Sequence, residues 1–453
     1  MSSGSSPSID GILGPSGKIA CGVVEKLAKA GHTAYFAGGC VRDHLLQREA
    51  KDIDIATNAT PDQVQKLFPK VTDLQGKAFG VVRVQYHGQN FEIAMFRNDG
   101  LYKDGRRPES VEPTTPEKDA ERRDFTINGL FYDPLKEKVI DFVGGQADLK
   151  KQRIRGIGDP VMRFTEDKLR LFRAVRFAAQ LDFEIEPETW KALCTLAPES
   201  TNLAPERVRD ELVKALTSVN PLKAFDLLDA SGLFRVWIPE IEEMKGVEQP
   251  PQFHPEGDVY KHVRLMMGHL KNPDPVLALG VLFHDIAKPD TYKVDHTGRI
   301  RFNGHESVGA KKTEHIMRSL RFSNDMIRDV TALVANHMAF KDAPNMRLST
   351  LKKFLARPTM DLEVELHRID CSSSHRLLDI YEFVLEKRGE ISHEELKPVP
   401  LVNGNDLIEL GVRPGKLLGM LLETLMDEQL EGKLKSRESA LRRARALVSG
   451  LIQ

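Results

Sequence analysis

The chain has 453 residues, 41% hydrophobic and 29% charged, with a formal net charge of −1. That length predicts about two to four globular domains, and no apolar run reaches the length of a membrane-spanning helix, which excludes a helical membrane anchor. Four scattered cysteines (Cys21, Cys40, Cys194, Cys371) without a Cys-x-x-Cys spacing exclude a zinc ribbon or a disulfide framework and suit a reducing, cytoplasmic setting.

Residues 1–16 have neither the basic start nor the apolar core of a secretion signal and read as a disordered lead. Ile19, Val23, Leu27 and Ala28 recur at helical spacing and predict a helix over 17–30. A strand, Ala34 to Ala37, leads into Gly38-Gly39 and a short helix. The β-type run DIDIA follows. Alternate strand residues share a face, so Asp52 and Asp54 present two carboxylates to one spot while Ile53 and Ile55 enter the core. Hard oxygen donors of this kind suit Mg²⁺, which keeps other positions for water and phosphate oxygens. The paired glycines let the backbone approach a phosphate and offer it N–H donors. The combination points to nucleotide chemistry.

Thr60-Pro61 opens another helix. Val81 to Tyr86 and Phe91 to Phe96 read as a hairpin joined by His87 to Asn90. Its second strand carries Glu92, a third carboxylate that would let two metal ions sit side by side. Asn98 to Lys118 is a long polar loop, a kind often functional. In ERRDFTINGL, Arg122 and Arg123 stand beside Asp124 and Asn128. The guanidinium fork suits triphosphate oxygens, and Asn128 can hydrogen-bond a sugar or phosphate. TEDKLRLFRAVRF reads as one helix capped by Thr165, with Asp167 and Arg170 sharing a face that Arg173 and Arg176 continue. Lys150 to Arg176 holds nine basic residues against three acidic ones. Such a stripe can meet a phosphate backbone, although by charge alone a solvated helix face is the better explanation.

From Phe253 onward the periodicity is helical. His262 lies in VYKHVRLMM, and His284-Asp285 closes an apolar helix, VLALGVLFHDIAKP, that Pro289 terminates. His305, His337 and Asp370 follow. Neutral imidazoles with carboxylates suit a first-row divalent metal.

The order Gly-Gly, Val-Arg-Asp, Asp-x-Asp in FAGGCVRDHLLQREAKDIDIAT resembles the signature of the nucleotidyltransferase superfamily, in its class II tRNA nucleotidyltransferase and bacterial poly(A) polymerase branch. Glu92 in FEIAMFR, the run RRDFTIN and the run EDKLRLFRAVRF match further motifs of that family. The resemblance implies Mg²⁺ at Asp52 and Asp54, with Glu92 as the third catalytic carboxylate. It implies nucleotide binding by Gly38, Gly39, Arg42, Arg123, Asp124 and Asn128. It also implies that Asp167 and Arg170 pair with the incoming base, with Arg173 and Arg176 in the same motif. Asp accepts from an exocyclic amine and Arg donates to a ring nitrogen or carbonyl, a pattern that cytosine and adenine satisfy and uracil and guanine do not. The Asn98 to Lys118 loop would take part in the switch from C to A addition. Arg207 in PERVRDELVKAL would give structural support or contact the primer.

The ordered set His262, His284-Asp285, His305, His337, Asp370 resembles the HD superfamily of metal-dependent phosphohydrolases. It implies a divalent metal (Mg, Mn or Ni) on His262, His284, Asp285 and Asp370, a second on His305 and His337, and phosphohydrolase or phosphodiesterase activity; a metal-stabilised RNA-facing module is the alternative. The segment from Leu401 is similar to the terminal helices of the nucleotidyltransferase family, with a basic run from Lys433 to Arg445 directed to tRNA.

The implied fold class is α+β. A nucleotidyltransferase head with a small antiparallel sheet spans 17–150, an all-α neck and body 151–245, an all-α HD domain 250–390 and a helical tail 400–453. The implied activity is template-independent addition of C, C and A to the tRNA 3′ end from CTP and ATP. The rivals are a poly(A) polymerase, an enzyme adding only A or only CC, and an HD phosphohydrolase with a non-catalytic RNA-binding head. Bacterial poly(A) polymerases often carry a Gly-Arg-Arg-Phe run after the aspartates. GKAFGVVRV, residues 76–84, lacks it, which favours tRNA.

Overall fold

In the computed structural model, which describes residues 14–50, 52–73, 79–99 and 111–452, the chain forms two compact units, Met1–Pro239 and Glu240–Gln453. Most of the lead, the middle of the Asn98 to Lys118 loop and the start of the 76–84 run lie outside the described residues.

The first unit is built on seven strands: β1 (Ala34–Ala37), β2 (Asp54–Thr57), β3 (Val71–Asp73), β4 (Val81–Tyr86), β5 (Gln89–Met95), β6 (Leu130–Asp133) and β7 (Lys138–Asp141). Their order is β3-β4-β5-β2-β1-β6-β7. Every pairing is antiparallel except β2 with β5, so the expected antiparallel sheet is a mixed one. The cause is topological. After β2 the chain runs through the helix Pro61–Leu67 and the β3–β4 pair, and β5 re-enters beside β2 in the same direction. That parallel register sets Asp54 opposite Glu92.

Alternation does the rest. Ile55 and Ile93 are buried while Asp54 and Glu92 face outward. Helix Gly14–Lys29 packs on β1 and β5 through Ala20, Val23, Val24 and Leu27; Ala28, expected on that face, is exposed. Thr60 caps its helix as expected, and the structure adds a reciprocal capping box with Gln63. The hairpin turn is tighter than expected. Only His87 (φ 45°) and Gly88 (φ 80°) form it, and Gln89 already pairs with Tyr86. Two left-handed residues in succession match the twist of the flanking strands.

The predicted helix over Thr165 to Phe177 is two helices, Pro160–Glu166 and Leu169–Leu181. Thr165 is no cap: its hydroxyl donates to the Val161 carbonyl. Asp159 caps the first helix, and Asp167 adopts an extended conformation and accepts the Leu169 N–H at 3.0 Å, restarting the second. Helices Pro205–Leu216 and Pro221–Ala230 pack on Leu169–Leu181, whose Leu171, Phe172, Ala174, Val175 and Ala178 are buried.

The second unit is helical apart from a two-stranded ribbon, Lys293–Val294 with Ile300–Arg301. The apolar helix Pro275–Phe283 stops one residue before His284, and Pro289 lies instead in the first turn of the next short helix, Lys288–Thr291. A separate apolar cluster (Val402, Leu407, Leu421, Leu425, Ala440, Ala444) holds the C-terminal helices together. No described helix is long and apolar enough to cross a membrane.

Candidate functional site

Asp52, Asp54 and Glu92 line one cleft of about 600 Å³ in the first unit, together with Arg83, Gln89 and Asn90. Ile53 and Ile55, buried below, fix the outward direction of the two aspartates. Surrounding protein, then the Glu92 and Asp52 charges, push the Asp54 carboxyl up to about 6 against the opposing pull of Arg123. Arg83 lies 3.6 Å from Glu92. Among the described residues no cation forms an ion pair with Asp52 or Asp54.

Beside the sheet, the predicted nucleotide-binding residues are tied into one network. Gly38 takes a left-handed φ of 73° before helix Gly39–Leu45, and a Cβ there would sit 2.9 Å from Arg123 Nη1. Arg42, buried in that helix, donates to Asn128 Oδ1 at 2.7 Å. Asn128 Nδ2 donates to Asp124 Oδ1 at 3.1 Å, and Arg173 Nε donates to Asp124 Oδ2 at 2.8 Å. Burial works against the Asp124 charge, yet Arg173 and the hydrogen bonds from Asn128 and the Phe125 N–H outweigh it and hold the carboxyl down at about 2. Arg176 donates to Glu211 Oε2 at 2.5 Å and covers the Phe177 ring. Arg170, Arg173 and Arg176 are therefore engaged in ion pairs rather than forming a free basic surface.

Asp167 and Arg170 do not pair with each other as an i, i+3 contact. Asp167 Oδ2 accepts from Arg207 Nη2 at 2.9 Å. Arg170 Nη1 donates to Glu166 Oε2 at 2.7 Å and to the Arg163 carbonyl at 2.8 Å. Each member of the proposed base-reading pair is thus held by a different neighbour.

In the second unit all six predicted ligands converge. His284, His305 and His337 each place Nδ1 within 2.7–3.0 Å of a carbonyl three residues back (Val281, Phe302, Val334). That fixes the tautomer and turns each Nε2 inward. His305 Nε2 and His337 Nε2 then face each other at 3.0 Å. Burial, then the neighbouring His284 charge, lowers His337 to about 3, so its ring is neutral. A proton or a metal cation between these two nitrogens satisfies both. Asp285 Oδ1 is 3.3 Å from His305 Nε2, its Oδ2 is 3.1 Å from His284 Nε2, and Asp370 Oδ1 is 3.1 Å from His262 Nε2. Metal-competent groupings are His262–His284–Asp285 and Asp285–His305–His337.

Sequence reasoning missed the partners. Asp119, 1% exposed, holds both Arg122 and Arg123. Glu211 holds Arg176, and Lys288 lies 2.7 Å from Asp285. Glu256 contacts His254 and His262. Spacing could have found Asp119, which stands three and four residues before its arginines on one helical face. The same spacing holds for Lys288, three residues after Asp285, and Glu256 stands six residues before His262; Glu211, 35 residues from Arg176, comes from a distant segment.

Models of the poly A polymerase head domain, of the probable RNA and SrmB-binding site of polymerase A and of tRNA nucleotidyltransferase domain 2 match residues 34–155, 182–245 and 305–444. A CCA-adding enzyme of Lactobacillus johnsonii is 32% identical over 424 residues, 92% of this chain and 94% of that protein. One of Ligilactobacillus salivarius is 31% identical over 442 residues, 95% and 96% of the two chains. Among solved structures, the CCA-adding enzyme of Bacillus stearothermophilus in complex with CTP has a TM-score of 0.68 at 24% identity, covering 97% of this chain and 100% of that one. That of Thermotoga maritima complexed with tRNA has a TM-score of 0.56 at 20% identity, covering 97% of each. These two likenesses bear on the fold.

Proposed function

The chain belongs to the family of CCA-adding enzymes, and from that premise we propose that it adds C, C and A in turn to the 3′ end of tRNA, using CTP and ATP and no nucleic-acid template. The observation that carries this reading is the register of β2 against β5, which brings Asp54 and Glu92 together with Asp52 at one cleft. Nucleotidyl transfer in this family uses a divalent metal. Three hard oxygens with excess negative charge, seen in the raised Asp54, fit Mg²⁺ held by Asp52 and Asp54 with Glu92 as the third carboxylate. Bound there, Mg²⁺ supplies charge stabilisation to the phosphate oxygens and lowers the pKa of the attacking hydroxyl.

The chain's own residues do the binding and sorting. Gly38 and Gly39 leave room for the triphosphate beside Arg123, which Asp119 holds in place. Arg42 orients the Asn128 amide, and Asn128 with Asp124 meets the ribose. Asp167 accepts from the exocyclic amine of cytosine or adenine, and Arg170 donates to the adjacent ring acceptor. The RNA 3′-hydroxyl attacks the α-phosphorus in line and pyrophosphate leaves, so no covalent protein intermediate is needed. Arg173 and Arg176, engaged with Asp124 and Glu211, serve this site by holding its parts in register.

We read residues 17–150 as the catalytic head, 151–245 as the neck and body that select the base and bind RNA, 250–390 as an HD-type metal domain and 400–453 as a helical tail, acting in the cytoplasm. The inward-facing Nε2 atoms of His284, His305 and His337 beside Asp285 fit a divalent metal (Mg, Mn or Ni), with His262 and Asp370 completing the set. A phosphohydrolase or phosphodiesterase activity is the reading these ligands support.

The test is nucleotide incorporation with Mg²⁺ on tRNA ending at the discriminator base, at C and at CC, and on an unstructured RNA, with CTP and ATP given singly and together. Two C residues and one A on tRNA, and then arrest, is the expected result. Addition of A only to the CC-ended tRNA identifies a split-function enzyme. Long A tails on unstructured RNA identify a poly(A) polymerase. Silence in wild type and Asp52→Ala alike moves the activity to the second unit.

A further inference from the structure

We infer that Glu256 is the positioning residue that orients His262 and sets the metal affinity of the second-unit cluster. The inference rests on reading that cluster as a metal centre. Three of its imidazoles are anchored through Nδ1 on main-chain carbonyls three residues back. His262 is the exception. It lies inside helix Val259–Met267, fully buried, and the group facing its Nδ1 is a carboxylate: Glu256 Oε1, in ion-pair contact 2.6 Å away.

The far side of the same ring points to the cluster, with Nε2 3.1 Å from Asp370 Oδ1. The three groups thus stand in one row, carboxylate, imidazole, ligand carboxylate. An anionic acceptor on one ring nitrogen fixes the tautomer and makes the other nitrogen a better donor to a cation, which a neutral carbonyl does less strongly. His262 is therefore the imidazole of the set with the charged anchor.

Glu256 is itself held. His254 Nδ1 contacts the same Oε1 at 2.9 Å, with its ring edge-on to His262 at 4.8 Å. The loop carrying both residues is closed at either end. His254 N–H donates to the Pro250 carbonyl, and Asp258 caps the helix of His262 by accepting the Lys261 N–H at 2.8 Å. Gln249, at the start of the same loop, accepts from Lys288, which contacts Asp285. One short segment thus braces both ends of the cluster.

The experiment titrates the metal-stripped full-length chain with Co²⁺, read by the visible absorption that imidazole ligation produces. All proteins carry Asp52→Asn and Asp54→Asn to silence the head carboxylates. Glu256→Gln keeps an oxygen for the Nδ1 proton and loses the charge; Glu256→Ala loses both. The expected result is a Co²⁺ dissociation constant raised about 10-fold in Glu256→Gln and toward 100-fold in Glu256→Ala, with a changed absorption envelope and an unchanged melting temperature in chelator. His254→Ala, which leaves the contact between Glu256 and His262, is expected to weaken binding less than Glu256→Ala. Equal Co²⁺ affinity in the Glu256-intact protein and both Glu256 variants overturns the inference and makes Glu256 a loop brace. Absence of Co²⁺ binding with Glu256 intact overturns the metal reading and the inference with it.

Discussion

Asp124→Asn tests whether the network behind the head is energetically real. Asp124 is 8% exposed, and its two oxygens accept from the Phe125 N–H, Asn128 and Arg173. Its carboxyl titrates at about 2, against about 3.9 when unfolded. A depression of about 2 units corresponds to roughly 2.5 kcal/mol favouring the folded state. The sign follows from the direction. The stabilisation is complete above the unfolded value and is lost as pH falls through the folded one. Asparagine keeps one oxygen for the Phe125 N–H but turns an amide toward the Arg173 guanidinium. Glu211, 4.0 Å from Arg173, softens the loss. We therefore expect Asp124→Asn to cost roughly 2–3 kcal/mol at pH 7 and about half as much at pH 3. Both tryptophans, Trp190 and Trp237, lie in Met1–Pro239, so fluorescence during urea unfolding reads this unit alone. A cost below about 0.5 kcal/mol, the range of ordinary surface changes, or a cost equal at pH 7 and pH 3, refutes the argument.

Asp54→Ala removes a carboxylate from the cleft and is expected to lower incorporation at least about 1,000-fold, several kcal/mol of charge stabilisation, in a single-turnover assay with labelled CTP; retention of a tenth of wild-type rate rules out its assignment. Arg207→Ala frees Asp167 Oδ2 and should relax selection against UTP and GTP about tenfold, out of the roughly 1.5–3 kcal/mol of a charged hydrogen bond, measured as the ratio of kcat/KM values. If selectivity holds while the protein merely melts earlier, Arg207 is a support of the helix joint only. Gly38→Ala forces a side chain into a φ of 73° and against Arg123; we expect roughly 1–3 kcal/mol of destabilisation and a raised KM for both CTP and ATP. Wild-type stability and KM would place the glycine outside the phosphate site.

Much of the site was legible because its signals are local. Asp52 and Asp54 share a face by strand alternation, Thr60-Pro61 marks a helix start, and the order of the histidines survives any folding. The joint at Asp167 was not legible. The apolar spacing of Leu169, Phe172 and Val175 runs on smoothly through it, and only the capping bond from Leu169 to Asp167 marks the restart. The turn at His87-Gly88 was read too long because Gln89 and Asn90 are polar, and pairing with Tyr86 and Gln85 overrode that polarity.

The sequence by itself determined which atoms are available: three carboxylates, an arginine-rich stretch and six metal-suited side chains, with the helical or strand period that turns each to one face. Tertiary structure decided what each atom meets. The parallel entry of β5 beside β2 set Glu92 against Asp54, and distant Glu211 and Arg207 became the partners of Arg176 and Asp167. The physical reason is range. Periodicity and capping act over a few residues, whereas a buried charge takes as its partner whichever opposite charge the packed core brings within about 3 Å, at any separation along the chain.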